Sequence, residues 1–247
     1  MPKTFSRPRA LTSRPTHYCP GCTHGIVHRL VAETIDELDI RGRTVGLAPV
    51  GCAVLMYNYI DVDFQEASHG RAPAMATGVK RVRPDLVVFT YQGDGDLASI
   101  GIGEIVHAAN RGEKITTIFI NNAVYGMTGG QMAPTTMPDQ RTTTTPFGRK
   151  TDDVGMPLRV CELLASLATP AFISRQTVIK PKYIKKAKRA IRQAFDYQLE
   201  NRCFSFVEIV STCPTNWGMT PVEAMQWAED TLLPYYPLGD LKKPEDV

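Results

Sequence analysis

Between Gln92 and Gln131 the chain runs from Gly93-Asp94-Gly95-Asp96 through a helix-like segment to Asn121-Asn122, and then into a glycine-rich turn. An acid and an amide one helix apart, each at the end of an expected strand, suit a hard divalent cation. Glycines beside each allow backbone N–H groups to approach phosphate oxygens closely. The ligand these features describe is a diphosphate held through a metal.

The surrounding sequence alternates. Thr44 to Val50, Leu86 to Tyr91, Ile115 to Ile120, Ala171 to Ser174 and Phe204 to Val210 read as strands. Gly25 to Leu38, Pro73 to Val82, Leu97 to Asn110, Leu158 to Leu167 and Lys182 to Leu199 read as helices. Such alternation predicts an α/β fold, a mostly parallel sheet with helices on both faces. Residues 126–153, rich in Gly, Pro and Thr, are too long for a simple connector and are expected to be functional. Residues 1–16 read as an extended arm, 17–217 as the ligand-binding domain, and 218–247 as an irregular tail suited to contacting another subunit. Cys52, Asp94, Asn122 and Cys213 each follow an expected strand. In a parallel sheet those positions share the carboxyl edge, where ligands of open α/β sheets bind.

Composition excludes several classes. A chain of 247 residues can bury a substantial core, and 43% apolar with 21% charged residues is ordinary for a globular protein. A net charge of +3 without basic-aromatic interleaving gives no case for nucleic acid. No apolar stretch has the length of a membrane span. Lys3, Arg7, Arg9 and Arg14 precede no apolar segment of the kind a secretory signal needs. A cytoplasmic location is the default expectation. In that setting six cysteines point to metal binding or catalysis rather than to disulfides.

For the cation, Asp94 offers a carboxylate, Asn122 a side-chain carbonyl and Val124 a backbone carbonyl, leaving phosphate and water to complete a Mg²⁺ octahedron. Backbone N–H groups of Gly126, Met127 and Thr128 form a candidate anion nest, with Gly93, Gly95 and Asp96 on the opposite side. The bland alternative is two tight turns with an exposed Asp and Asn. Asn121-Asn122 and Tyr125-Gly-Met-Thr-Gly-Gly130 weigh against it. Cys19-Pro-Gly-Cys22 suits a metal, and structural zinc is one reading of that pair. Cys161, inside a helical run, and Cys203, before a strand, read as packed thiols. His17, His28 and His107 carry no motif. The basic helix from Lys180 to Arg192 is a solvated face or a docking surface for an acidic partner.

The Gly-Asp-Gly to Asn-Asn pattern is that of thiamine-diphosphate enzymes. Together with Cys19-Pro-Gly-Cys22-Thr-His-Gly25 and Ser68-His-Gly-Arg71, it makes the chain resemble the β subunit of the 2-oxoacid:ferredoxin oxidoreductases from about Thr16 to Trp217. The resemblance implies thiamine diphosphate, Mg²⁺ and one 4Fe–4S cluster, with Cys19, Cys22, Cys52 and Cys213 as cluster ligands. It puts His69 and Arg71 near the cofactor or the substrate carboxylate, although capping, packing or ion pairing would also account for them. The implied reaction is oxidative decarboxylation of a 2-oxoacid with coenzyme A, giving acyl-CoA, CO₂ and electrons for ferredoxin. The implied partners are an α subunit, with γ and ferredoxin-like δ subunits. The glutamate that polarises the cofactor is expected from the partner, and neither Glu66 nor Glu104 is assigned to it. After Cys52 the residues Ala53-Val54-Leu55-Met56 are all apolar where relatives often carry hydroxyl or charged groups. A pocket without a cation suits an aliphatic side chain, and the Thr16 to Gly25 segment is most like the 2-oxoisovalerate branch. Alternatives are 2-oxoglutarate or another 2-oxoacid, or a non-redox thiamine-dependent decarboxylase or carboligase with a structural metal at the cysteines.

Overall fold

The computed structural model describes residues 6–246. Pro2 and Lys3 of the expected arm, and Val247 at the end of the tail, therefore lie outside the described residues.

The strands of the main sheet are β1 (Thr44–Ala48), β2 (Asp63–Glu66), β3 (Val87–Gly93), β4 (Thr116–Asn121), β7 (Ala171–Thr177), β8 (Phe204–Val210) and β9 (Gly239–Lys242). Their order is β2-β1-β3-β4-β8-β7-β9, and all run parallel except β9, which pairs antiparallel with β7. A small ribbon, β5 (Val124–Tyr125) with β6 (Gln131–Met132), stands apart. The helices are α1 (His24–Glu37), α2 (Ala72–Val82), α3 (Ile102–Asn110), α4 (Thr151–Val154), α5 (Val160–Ala165), α6 (Pro181–Leu199), α7 (Pro214–Trp217), α8 (Pro221–Trp227) and α9 (Leu233–Tyr235).

The central strands β4, β7 and β8 are buried at every position, as strands covered on both faces must be. Alternate residues serve opposite layers. Phe89, Tyr91, Ile118, Ile120, Val207 and Ile209 meet α1 and α6, while Val88, Phe119 and Phe206 meet α2, α3 and α5. Each such side chain contributes about 1.5–3 kcal/mol by leaving water, so Phe89→Ala is expected to cost about 3–5 kcal/mol.

Two elements depart from the sequence expectation in ways that matter. The strand β2 is an exposed edge with Asp63, Gln65 and Glu66 outward, so it carries no apolar run to announce it. The tail beyond Trp217 is not irregular. Thr220 and Glu223 close a capping box at the start of α8, and Ala224, Ala228 and Leu232 form its buried stripe. Pro221 and Pro234 look like breakers in sequence, yet each sits in the first turn of a helix, where a missing N–H costs nothing. The tail is anchored by Arg175 of β7, fully buried and paired with Glu208 at 2.7 Å and Glu162 at 2.5 Å. Its guanidinium lies 5.3 Å from the centre of the Tyr236 ring.

The segment before α1 lies along the surface, held where the Ala10 N–H donates to Asp36 and the Thr12 N–H to Tyr59 O. On α6, Lys188 pairs with Glu33 and Glu37, and Lys180 and Lys182 pair with Glu229 of the tail. Lys185, Lys186 and Arg189 are exposed. No helix among the described residues is long and apolar enough to cross a membrane.

Candidate active site

The chain leaves β1 towards β2 on one side and leaves β3 towards β4 on the other, so a crevice opens at the carboxyl ends of β1 and β3. Two cavities meet there. One is a cleft lined by Gly93, Asp94, Gly95, Asp96, Asn122, Val124, Gly126, Met127 and Thr128. The other is a chamber of about 210 Å³ lined by Cys19, Cys22, Cys52 and Cys213. His24, Cys52, Asn122, Gly126 and Met127 border both.

Asp94 follows the last residue of β3 and is buried. Its Oδ1 accepts from the Gly95 N–H at 2.8 Å and its Oδ2 from the Thr135 hydroxyl at 2.7 Å. Burial raises its pKa to about 7, against these donors and the N–H groups of Asn122 and Ala123. No Lys or Arg among the described residues pairs with it or borders the cleft. The helix that follows opens as a wider π turn over Gly95–Ile100, closed by Gly101 N–H to Asp96 O at 2.9 Å. Such turns concentrate at functional sites. A side chain on Gly95 would collide with the Tyr125 ring, only 2.3 Å from where its Cβ would stand.

The turn after β4 is strained. Ala123 has φ +60°, a left-handed conformation that costs a non-glycine residue about 1–3 kcal/mol. Several bonds hold it: Ala123 N–H to Asn121 Oδ1 at 3.3 Å, Thr136 Oγ1 to Ala123 O at 2.6 Å, and Trp217 Nε1 to Asn122 O at 3.1 Å. Asn121 is itself fixed by donating to Glu208, the buried partner of Arg175. Asn122 Oδ1 accepts from the Val124 N–H at 3.3 Å. Beyond it, the N–H groups of Gly126, Met127 and Thr128 have no acceptor among the described residues, whereas Gly130 N–H closes the turn on Tyr125 O.

His69 borders the cleft, and its Nδ1 lies 2.6 Å from Asp96 Oδ1, which also accepts from the Gly70 N–H. Gln92 Nε2 donates to the other Asp96 oxygen at 2.7 Å. Gly70 has φ +77°, and a Cβ there would come within 2.7 Å of Gly101 N. Only glycine lets the two turns touch. For Arg71 the structure shows the ion pairing that the sequence reading left open beside a cofactor contact. It pairs with Glu104 on α3 and is not among the residues bordering the cleft, because α2 starts at Ala72 and carries it to the outer side. Glu66 is exposed at the end of β2.

Three distant segments supply the four cysteines. Cys19 and Cys22 are joined by a turn in which Cys22 N–H donates to Cys19 O at 3.0 Å. Gly21, at φ +80°, packs so closely on Pro221 of α8 that a Cβ would lie 2.6 Å away. Cys52 opens a 3₁₀ helix after β1, and Cys213 precedes α7. Burial raises the Cys22 thiol to about 12 and the Cys52 thiol to about 11, and the neighbouring cysteines add to both shifts. No group of three or more His, Cys, Asp or Glu among the described residues is arranged to hold a metal ion. The thiols face a chamber, not a point. Cys161 and Cys203 are buried in the core, as expected of packed thiols.

Some residues were missed in the sequence. Thr135 lies in the long Thr-rich segment with nothing to single it out. His24 is buried, its Nδ1 lies 2.7 Å from the Tyr91 hydroxyl, and burial lowers its pKa to about 4. Its place in the Cys-Pro-Gly-Cys-Thr-His run was the available signal. Of the apolar residues after Cys52, only Ala53 borders the cleft, joined by Val50. Leu55 faces the cysteine chamber, and Val54 and Met56 are buried. A 3₁₀ helix turns successive side chains to different sides.

Comparison with known proteins agrees with this geometry. Residues 49–209 match the family described as thiamine pyrophosphate enzyme, C-terminal TPP binding domain. The chain is 47% identical over 238 residues to the ketoisovalerate oxidoreductase subunit VorA of Methanothermobacter thermautotrophicus, covering 96% of this chain and 50% of that protein. It is 36% identical over 212 residues to the 2-oxoglutarate synthase subunit KorB of Archaeoglobus fulgidus, covering 86% and 75%. Among solved structures it superimposes on the 2-oxoglutarate:ferredoxin oxidoreductase from Magnetococcus marinus, solved with 2-oxoglutarate, coenzyme A and succinyl-CoA bound. That match has a TM-score of 0.80 at 26% identity and covers 98% of this chain and 86% of the other. The chain spans about half the length of the VorA proteins it matches.

Proposed function

Since the chain belongs to the thiamine-pyrophosphate-binding subunits of the 2-oxoacid:ferredoxin oxidoreductases, we propose that it is the β subunit of an enzyme oxidising a branched-chain 2-oxoacid. Its substrates would be 2-oxoisovalerate and coenzyme A; its products, acyl-CoA, CO₂ and two electrons for ferredoxin. One observation carries the reading: Cys52, Asn122, Gly126 and Met127 form a common wall between the diphosphate cleft and the cysteine chamber. A cofactor and an electron acceptor on either side of that wall would be near neighbours.

The residues present fit both groups. Asp94 is a buried carboxylate with no cationic side-chain partner, raised to about 7, which a divalent ion beside Asn122 and the Val124 carbonyl would relieve. The free N–H groups of Gly126, Met127 and Thr128 suit phosphate oxygens. The Cys22 and Cys52 thiols, pushed up by burial and by their neighbouring cysteines, suit an iron–sulfur core, which would hold the four cysteines as thiolates. When bound, thiamine diphosphate supplies the carbon centre and electron sink for decarboxylation, and the cluster supplies one-electron transfer.

The chain's own groups then have assignable tasks. Thr135 and the Gly95 N–H aim the Asp94 carboxylate. The Asn121-Asn122 turn presents the Asn122 amide oxygen, which accepts from the Val124 N–H beyond the strained Ala123. Asp96 fixes His69 at the cleft, where a ring nitrogen can meet the cofactor or the substrate. Ala53 and Val50 give the cleft an apolar border without a cation, in keeping with an aliphatic substrate and with the resemblance to ketoisovalerate oxidoreductase subunits. An α subunit would complete the active site, with γ and ferredoxin-like δ subunits and ferredoxin as further partners in a cytoplasmic complex.

The test is anaerobic co-purification with partner subunits, followed by ferredoxin or viologen reduction across a panel of 2-oxoacids with coenzyme A. The expected result is about four irons per chain and the highest kcat/KM with 2-oxoisovalerate. Preference for 2-oxoglutarate would overturn the substrate assignment. A colourless, iron-free complex that still decarboxylates would return the protein to the non-redox thiamine enzymes.

A further inference from the structure

Asn216, in α7, borders the cysteine chamber and bonds to Gly126 in the wall it shares with the cleft. Its Nδ2 donates to Gly126 O at 2.8 Å and to Cys213 Sγ at 3.2 Å. An amide nitrogen carries two hydrogens, so each acceptor receives its own. The fit is close: Gly130, at φ +82°, is so near that a Cβ there would lie 2.9 Å from the Asn216 Cβ. The Asn216 side chain is thus clamped between the phosphate-side loop and a cluster-side cysteine.

Each bond has a physical consequence. Gly126 C=O and Met127 N–H belong to one planar peptide unit and point in opposite directions. Fixing the carbonyl on Asn216 therefore fixes the direction of a free N–H at the cleft. On the other side, a donor aimed at a cluster thiolate favours the state with more negative charge on sulfur, which is the reduced one.

We propose that Asn216 is a positioning residue coupling the two sites: it raises the reduction potential of the cluster through Cys213 and orients the Met127 N–H towards the diphosphate through Gly126. The inference rests on the cofactor assignments proposed above. Asn216 exchanges no proton and forms no covalent bond. Cys19, Cys22, Cys52 and Cys213 would hold the cluster, which would supply one-electron transfer between substrate and ferredoxin.

The experiment compares the assembled complex carrying wild-type, Asn216→Ala and Asn216→Asp chains. Iron per chain, the cluster midpoint from an EPR-monitored redox titration, and the Kd for thiamine diphosphate with Mg²⁺ are measured on each. Asn216→Ala should keep its iron and make cluster reduction about five- to tenfold less favourable, since one hydrogen bond to a charged group is lost; tenfold is 59 mV for a one-electron couple. Asn216→Asp should lie lower still, because it adds negative charge beside the sulfur. Both should weaken thiamine diphosphate binding by about three- to tenfold. A merely structural role would not order the two potentials in this way. Retained iron with unmoved potentials overturns the coupling. If iron is lost from Asn216→Ala, Asn216→Ser, which keeps a donor, must hold the cluster at an intermediate potential; loss from both overturns the tuning role. An iron-free wild-type complex would bring down the cluster assignment itself, a result distinct from either.

Discussion

The diphosphate cleft and the cysteine chamber share a wall but are built in opposite ways. The cleft comes mostly from two consecutive sheet-edge turns, at Asp94 and at Asn122, and is pre-organised by its own bonds: Thr135 on Asp94, Asn121 on Ala123, Asp96 on His69. The chamber draws on segments as far apart as Cys19 and Cys213, and there the Cys22 and Cys52 thiols are pushed up by burial and by neighbouring cysteines. The cleft is shaped before its guest arrives. The chamber would be completed by its proposed guest. A guest that binds only the folded chain adds its binding free energy to stability, so loss of iron should loosen the chamber more than loss of diphosphate loosens the cleft.

The sharpest way to break the comparison is to empty one side and ask about the other. Asp94→Ala should abolish turnover and weaken thiamine diphosphate with Mg²⁺ by more than about 100-fold, as loss of a charged metal ligand does, while iron per chain stays unchanged. Simultaneous loss of iron would mean that the two sites form one folding unit. Cys22→Ala is the converse. Ferredoxin reduction should fall to background with loss of the cluster, whereas thiamine diphosphate binding, followed by calorimetry, should change by less than about threefold, because Cys22 borders only the chamber. Cys52→Ala should disturb both, since Cys52 lies in the common wall.

A smaller effect concerns pH. Asp94 has a folded-state pKa of about 7 against a usual value of 3.8, so folding takes up a proton between those values. For chelated, cofactor-free chain, the Asp94 contribution to stability should be fully present at acid pH, be lost as pH rises from about 4 to about 7, and then level, while His24 and His28, lowered by burial, contribute in the opposite direction. The Asp94 share is on the order of 4 kcal/mol. The difference between wild type and Asp94→Asn in urea unfolding at pH 4.5 and pH 7.5 isolates it, and Mg²⁺ with thiamine diphosphate should restore the high-pH loss in the wild type alone. A wild-type slope shared by the Asn variant would remove Asp94 as its source. The smallest effect belongs to the cysteines outside the chamber. Cys161→Ala and Cys203→Ala should each cost about 1–2 kcal/mol from core packing, with iron content and potential unchanged.

How much was legible follows from what each feature depends on. The alternation of strands and helices could be read because periodicity is local, and the residues of β3, β4 and β8 came within a few positions of their observed ends. The strand β2 could not, being polar and exposed. The tail could not either, since its prolines become harmless only once they occupy first turns and its apolar stripe meets Ile179, Val210 and Tyr236. In the site, the Asp94 and Asn122 turns announced themselves by glycine and amide placement, but Cys52 and Cys213 were set apart from Cys161 and Cys203 only through resemblance. Arg71 was drawn into the site by its neighbour His69, although helical geometry turns it to Glu104.

The sequence by itself determined the α/β class, the two turns that present Asp94 and Asn122, and the short cysteine turn, because each depends on residues close together in the chain. Tertiary structure alone decided that the carboxyl edges of β1, β3, β4 and β8 bring those turns to one wall. It also decided that Arg175, through Glu208, holds Asn121, and that Asn216 reaches both Gly126 and Cys213. Such pairings join residues far apart along the chain, and the order of strands across the sheet sets which of them meet.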